Sequence, residues 1–285
     1  MSKVMVVTDS TATIPADLAR DLPLVSLPLN LIWGDEVLLD GVDIQPEAFY
    51  TRLASDKVTP TTSQPTPEAF KAVYSRLLKE GYDILSIHIS SKLSGTLDSA
   101  TLAKATLEAG NIELFDSLAT SMALGFQALA AARAAKEGAT LQECAALADQ
   151  ARAHTNIYFA VSTLEFLRRG GRIGGAAAFL GTALNLKPIL TLRDGRVEAI
   201  ERVRTSSKAV DRLVELVMKD LEGKRPIHLA TLHANAPKGG QALMEKVRAK
   251  LNPSDISEAI FGEVCPVLGT HTGPGTVGLA YLAGM

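Results

Sequence analysis

Short runs of branched apolar residues alternate along this chain with longer segments whose apolar positions recur every three or four residues. The first pattern predicts strands at Val4–Thr8, Ile84–Ser90 and Ile112–Phe115, and an extended stretch over Val25–Trp33. Gly34-Asp35 turns that stretch into a second extended piece, Glu36–Leu39. The second pattern predicts helices over Pro15–Asp21, Pro67–Glu80, Leu97–Glu108, Thr120–Lys136 and Leu141–His154. Such alternation favours parallel strands joined by crossover helices, so residues 1–155 are expected to form an α/β domain with an open parallel-type sheet flanked by helices.

The pattern changes after His154. Tyr158–Val161 reads as extended and Leu164–Leu167 leads into a run of arginines and glycines. Ile189–Leu192 and Arg196–Arg204 flank Asp194-Gly195, a strong hairpin signal. Helices at Ser207–Leu221 and Gly239–Leu251 then alternate with strands at Ile227–His233, Ile256–Val264 and Val277–Leu282. Residues 156–285 are therefore expected to form an α+β domain with a mixed or antiparallel sheet. No low-complexity linker separates the halves, so they should pack directly on each other.

Composition narrows the function classes. The 285 residues are 47 % hydrophobic and 21 % charged, ordinary for a chain with a substantial core. A formal net charge of −2 gives no support for a nucleic-acid surface. The apolar stretch around Met122–Ala135 is interrupted by Gln127 and Arg133, so it suits a buried helix rather than a membrane span. Two distant cysteines, Cys144 and Cys265, and the absence of a secretory signal point to a cytoplasmic protein with free thiols.

Polar loops stand at the predicted strand ends, where open α/β sheets gather their ligands. They are Thr8-Asp9-Ser10-Thr11, then Ser90-Ser91-Lys92-Leu93-Ser94-Gly95-Thr96, and Asp116-Ser117-Leu118-Ala119-Thr120. Ser94 and Gly95 would offer a hydroxyl and backbone N–H groups at a helix N-terminus, a combination that binds anions. For any one loop, helix capping is the simpler role of such residues. In the loop before Pro67, Thr66 suits the N-cap, which leaves Thr61, Thr62 and Ser63 unassigned. His271, between Thr270 and Thr272 and followed by Gly273-Pro274-Gly275, looks like part of a site wall.

Phosphate-loop, nucleophile-elbow, zinc-helix and dinucleotide fingerprints are all missing, and five histidines with two distant cysteines do not suggest a metal cage. The remaining inventory of hydroxyls, one histidine and a few arginines suits holding a carboxylate or phosphate better than breaking bonds. Two rival readings stay open on the residues. One is a hydrolase or transferase with Ser94 as nucleophile and His271 as base. The other is a binding module for a phosphorylated small molecule, built on the hydroxyl loops and Gly170-Gly171-Arg172.

Read in order, the segments VTDSTATIP, TTSQPTPEAF, SIHISSKLSGT, FDS, LEFLRRGGRIGG, LNLKPILTLRDGRV, the VRT at Val203–Thr205, and GTHTGPGTVGL resemble the DegV family, the fatty-acid-binding subunit of bacterial fatty acid kinase. The resemblance runs across nearly the whole chain. It implies two α/β-type domains that bury a long-chain fatty acid such as palmitate. It also implies carboxylate contacts from Thr62, Ser94 and His271, with Gly95 beside them. Arg169, Arg172 and Arg204 are expected near the head group or where a kinase docks. No cofactor and no metal are implied, and the chain is expected to be a non-catalytic, monomeric carrier in phospholipid metabolism. Its expected partners are the fatty acid kinase catalytic subunit and an acyltransferase at the membrane surface.

Overall fold

The computed structural model describes residues 3–107, 110–181 and 186–285. Glu108, the last residue of the helix expected over Leu97–Glu108, lies outside them, as do Leu184 and Asn185 of the LNLKPIL segment.

In chain order the first part contains β1 (Lys3–Asp9), α1 (Ala16–Ala19), β2 (Leu24–Leu27), β3 (Asn30–Trp33), β4 (Glu36–Leu39), α2 (Pro46–Ser55) and β5 (Thr61–Ser63). It continues through α3 (Pro67–Lys79), β6 (Tyr82–His88), α4 (Thr96–Ala105), β7 (Ile112–Asp116), α5 (Ser121–Lys136) and α6 (Leu141–His154). Strands β2, β1, β6 and β7 form, in that order, an all-parallel sheet. Its central strands are buried apolar runs, as a sheet covered on both faces requires.

The remaining elements are β8 (Thr155–Ala160), α7 (Glu165–Arg169), β9 (Lys187–Arg193), β10 (Arg196–Val203) and α8 (Ser206–Asp220). They are followed by β11 (Ile227–His233), α9 (Pro237–Arg248), β12 (Ile256–Glu263), α10 (Pro266–Thr272) and β13 (Val277–Ala283). They build a six-stranded sheet of order β10-β9-β8-β13-β11-β12, antiparallel except for the β11/β12 pair. The expected parallel and mixed sheets are thus both present. Asp194 and Gly195 both take positive φ (50° and 76°), the geometry of a tight hairpin turn between β9 and β10.

Helix α5 explains why the two sheets share one interior. Its residues from Ser121 to Leu129 are all buried, along with Ala131 and Ala132. A helix buried all round must be packed on several sides. It lies against β1 and β6 of the parallel sheet and against β8 and β13 of the mixed one. One apolar cluster accordingly unites Val6, Leu85 and Ile87 with Leu232, Ala280 and Leu282. Helices α8 and α9 cover another face, with Ala209, Val210, Leu213, Val214 and Val217 giving α8 its single apolar stripe.

The chain departs from the sequence expectation at three places that shape the site. Val25–Trp33 is not one extended piece: it breaks at Pro28-Leu29, and β2 joins the parallel sheet while β3 joins a separate antiparallel sheet of order β4-β3-β5. Proline has no backbone N–H for a ladder, so the chain leaves the first sheet there. The TTSQP loop contributes a short strand, β5, with Thr62 opposite Leu31. His271 lies in the last turn of helix α10 rather than in a loop, and α2, which the apolar spacing did not single out, packs against α10.

Candidate functional site

The site is anchored by a buried carboxylate at the end of β1. Asp9 Oδ1 accepts from the Thr11 hydroxyl at 2.5 Å and from the Thr11 N–H at 3.1 Å. Asp9 Oδ2 accepts from the Ile89 N–H at 2.9 Å and lies 3.0 Å from His88 Nδ1. Beyond the ring, His88 Nε2 meets Ser86 Oγ at 2.6 Å, and Ser86 Oγ meets the Tyr74 hydroxyl at 2.6 Å. A proton chain running from Tyr74 through Ser86 and His88 to Asp9 satisfies every atom in it. Ser86, His88 and Asp9 look like a catalytic relay, but all of them, with Tyr74, have no exposed surface. Their role is structural: Asp9 fixes the start of the β6–α4 loop through Ile89.

That loop carries Ser94. Its hydroxyl lies 2.9 Å from Thr96 Oγ1, at the start of α4. Across from it, Thr62 Oγ1 on β5 is 2.8 Å from His271 Nε2 on α10. The loop is also tied to the second sheet. Arg172 Nε donates to Leu93 O at 2.9 Å and Arg172 Nη1 to Gly170 O at 2.6 Å. The Ser90 hydroxyl donates to Gly195 O at the β9–β10 turn, 2.8 Å away.

Thr62, Ser94, Arg172 and His271 line one cavity. Its remaining walls are largely apolar: Phe159, Leu192 and Leu232 come from the six-stranded sheet, Leu268 from α10, and Leu29 and Ile89 from the connections after β2 and β6. The expected site residues are not all gathered there. Gly95 does not line the cavity and instead approaches the Gln64 side chain. Arg169 is exposed and pairs with Glu165 at 2.7 Å. Arg204 is exposed just beyond the end of β10. Ser94 and His271 are not bonded to each other: the Ser94 hydroxyl meets Thr96 and His271 Nε2 meets Thr62.

Burial, reinforced by the nearby Arg172 charge, lowers the His271 pKa from 6.5 to about 4. The ring is therefore neutral at physiological pH. Protonation is favoured more in the unfolded chain than in the folded one, so folding stability is fully present above about pH 6.5 and is lost as the pH falls toward 4. Denaturant unfolding should show this loss between roughly pH 6.5 and 4. It should be reduced in His271→Asn; an identical pH profile in the variant would remove the ring from the explanation.

Gly170 is required by the same ring. A Cβ at this position would overlap His271 Nδ1. Gly170→Ala must push the histidine off Thr62, and a loss of about 1–3 kcal/mol is expected for forcing a methyl into a packed site. Thermal unfolding of the variant checks it, and an unchanged midpoint would contradict the packing.

Two further residues give no clear sign in the sequence. Asp40 is buried at the junction of the three-stranded sheet and α10: it accepts from the Ser10 hydroxyl at 2.6 Å and from the Val267 N–H at 3.3 Å. Burial pushes its pKa up, partly opposed by these bonds. The DS pair of the first polar loop thus positions both the Ser94 loop, through Asp9, and the helix of His271, through Ser10 and Asp40. Thr120, at the start of α5, also lines the cavity. Its only sequence signal is membership of a hydroxyl-rich loop.

Among the described residues no helix is long and apolar enough to cross a membrane, and no group of three or more side chains is arranged to hold a metal ion.

Comparison with known proteins gives a consistent result over the full length. A sequence model for a family described as uncharacterised DegV proteins matches residues 3–284. A DegV domain-containing protein of Streptomyces coelicolor is 40 % identical over 277 residues, 97 % of each chain. The structure of a DegV family protein from Thermus thermophilus, described for its fatty acid binding, superposes with a TM-score of 0.92 at 39 % identity, covering 99 % of both chains. DegV of Bacillus subtilis, described as a fatty acid binding protein, gives a TM-score of 0.91 at 32 % identity, covering 99 % of this chain and 100 % of its own. With a full-length family match, relatives well above 30 % identity and the same fold, this chain belongs to the DegV family.

Proposed function

We propose that the cavity between the two sheets holds a long-chain fatty acid, with its carboxylate at Thr62, Ser94 and His271, and that the chain presents this carboxylate to a separate ATP-dependent kinase. The observation that carries the reading is the meeting of these three side chains on one cavity whose other walls are mostly Leu, Ile, Val and Phe. Fatty acid binding by the Thermus thermophilus and Bacillus subtilis proteins supports the ligand class.

The physical requirements agree. Each methylene buried in such walls contributes about 0.8 kcal/mol. The carboxylate taken from water needs donors, and hydroxyl groups supply charge-assisted bonds without a buried lysine. Thr62 has a single proton. It can give this proton to the ligand only if His271 Nε2 carries its own hydrogen and donates to Thr62 Oγ1. His271 Nδ1 is then the bare nitrogen, which faces Gly170 and has no partner among the described residues. In this arrangement His271 orients Thr62, and Arg172, bonded to Leu93 O, holds the Ser94 loop at the mouth. A carboxylate held by hydroxyls at the opening keeps an oxygen approachable by a phosphoryl donor. The carrier supplies position, and the kinase supplies nucleotide and chemistry.

Native mass spectrometry of gently purified protein tests the ligand. A co-purifying mass of a C14–C18 fatty acid is expected, and repeated absence of any lipid would count against the reading. Adding the kinase catalytic subunit and ATP should then convert the bound acid to its acyl phosphate. Covalent labelling of Ser94 by a fluorophosphonate would instead support the hydrolase alternative.

A further inference from the structure

The Asp194-Gly195 turn reads in the sequence only as a hairpin signal, yet it touches the loop that carries Ser94. Ser90, at the root of that loop, has no exposed surface. Its hydroxyl donates to Gly195 O at 2.8 Å and accepts from the Lys92 N–H at 3.2 Å. Its carbonyl receives the Leu93 and Ser94 N–H groups at 2.9 and 3.1 Å, and its own N–H goes to Ala119 O at 2.9 Å. Ser90 is thus bonded at every polar group, and it joins the Ser94 loop to the second sheet. The fit at the turn is close. A Cβ at Gly195 would stand 2.2 Å from Ser90 Oγ, and Gly195 holds a φ of 76°, so glycine is required there on both counts.

The other side of this contact belongs to the acyl cavity. Leu192 and Val197 face each other across the β9–β10 pair, just outside the turn, and both line the cavity. The hairpin therefore carries cavity wall on its strands and a clasp for the Ser94 loop at its tip. Resting on the proposed fatty-acid function, we infer that Ser90 is a positioning residue for the carboxylate: bonded to Gly195, it sets the Ser94 loop in register with the wall against which the acyl chain lies. Ser94 touches the ligand, and Ser90 acts through it. A binding group has to be held within about 0.5 Å of its productive place, and a loop does not hold it so without a support of this kind.

The competing account is a local turn over Ser90–Ser94 that stands without the hairpin. A mutant cycle read by calorimetric titration of palmitic acid separates the two. Ser90→Ala removes both the clasp and the hydroxyl of the local turn, whereas Gly195→Ala keeps the serine and forces the hairpin away from it. Each is expected to weaken binding about fivefold to tenfold, up to the contribution of one hydrogen bond to a charged group. Each is then repeated in a Ser94→Ala background, where it should change the affinity by less than about twofold, because the group it positions is gone. A residue that merely supports the cavity would weaken binding equally in both backgrounds, and that result overturns the inference. Wild-type affinity in Ser90→Ala overturns it too. Wild-type affinity in Gly195→Ala, with Ser90→Ala impaired, overturns it in favour of the local turn. Should Ser90→Ala not unfold cooperatively, Gly195→Ala in the two backgrounds carries the decision. Failure of wild type to bind palmitic acid overturns the fatty-acid reading as well, whereas a wild type that binds and a cycle that is additive sink this inference alone.

Discussion

Replacing Asp9 by alanine is expected to lower the free energy of unfolding by about 3–5 kcal/mol, a large part of the 5–15 kcal/mol typical of a folded domain. The carboxylate receives the Thr11 hydroxyl and N–H, the Ile89 N–H and the His88 ring at 2.5–3.1 Å. Neither Asp9 nor His88 has any exposed surface. Removing the acceptor therefore leaves several donors buried without water, each costing about 1–3 kcal/mol before relaxation. Asn at this position keeps one acceptor oxygen but sets an amide N–H₂ among the remaining donors, so it should recover only part of the loss. Urea denaturation of wild type and both variants measures this directly. A midpoint for Asp9→Ala within error of wild type would show that the network contributes nothing to folding. The same substitution releases Ile89, and so loosens the loop that carries Ser94.

The second large effect is on binding. The double variant Thr62→Val with Ser94→Ala should weaken palmitic acid binding by about a hundredfold or more. Hydrogen bonds to a charged group contribute about 1.5–3 kcal/mol each, and the variant removes two of them. The carboxylate would still have to leave water, now against a methyl group on each side. Val fits the volume of Thr62 in β5, although His271 Nε2 loses its partner at 2.8 Å. A modest stability loss is acceptable, provided unfolding stays cooperative and the protein is folded at the assay temperature. Calorimetric titration gives the affinity, and phosphorylation by the kinase subunit gives the functional consequence. A double variant that binds within threefold of wild type and is still phosphorylated would remove Thr62 and Ser94 from the head-group site.

Much of the scaffold is readable one residue type at a time. The largely apolar runs at Val4–Thr8 and Ile84–Ser90 form the central parallel strands β1 and β6, because strands buried on both faces need mostly apolar side chains; Ser86 and His88 are tolerated there because both are hydrogen-bonded in the Asp9 network. Asp194-Gly195 marks its hairpin because few residue pairs adopt two successive positive φ angles. Thr66 is recognisable as the cap of α3, and its hydroxyl does accept from the Ala69 N–H at 3.2 Å. Local rules also mislead. Val25–Trp33 has continuous strand composition, and nothing in that composition shows that Pro28-Leu29 sends its two halves into different sheets. The short helix α10 is hidden by the glycines after it, and β5 by the prolines around it.

The candidate site divides in the same way. Ser94, Thr62, His271 and Arg172 stand out because hydroxyl, histidine and guanidinium groups occupy loops of a pattern resembling a known family. Arg169 and Arg204 stand out on the same ground, yet Arg169 pairs with Glu165 on the surface and Arg204 lies exposed beyond β10. Asp40 does not stand out at all: an isolated acid between Leu39 and Gly41 reads as a surface turn. It acquires meaning only when Ser10, 30 residues away, and Val267, 227 residues away, are brought to its two oxygens.

The sequence by itself determined the element types, the two kinds of sheet and the supply of hydroxyl, imidazole and guanidinium groups, because propensity, periodicity and turn chemistry act over a few neighbouring residues. Tertiary structure alone decided which of those groups meet. Thr62 and His271 are 209 residues apart in sequence and 2.8 Å apart in space. It also decided which apolar residues became cavity wall rather than core, since both obey the same pattern and differ only in whether another side chain arrives to fill the space.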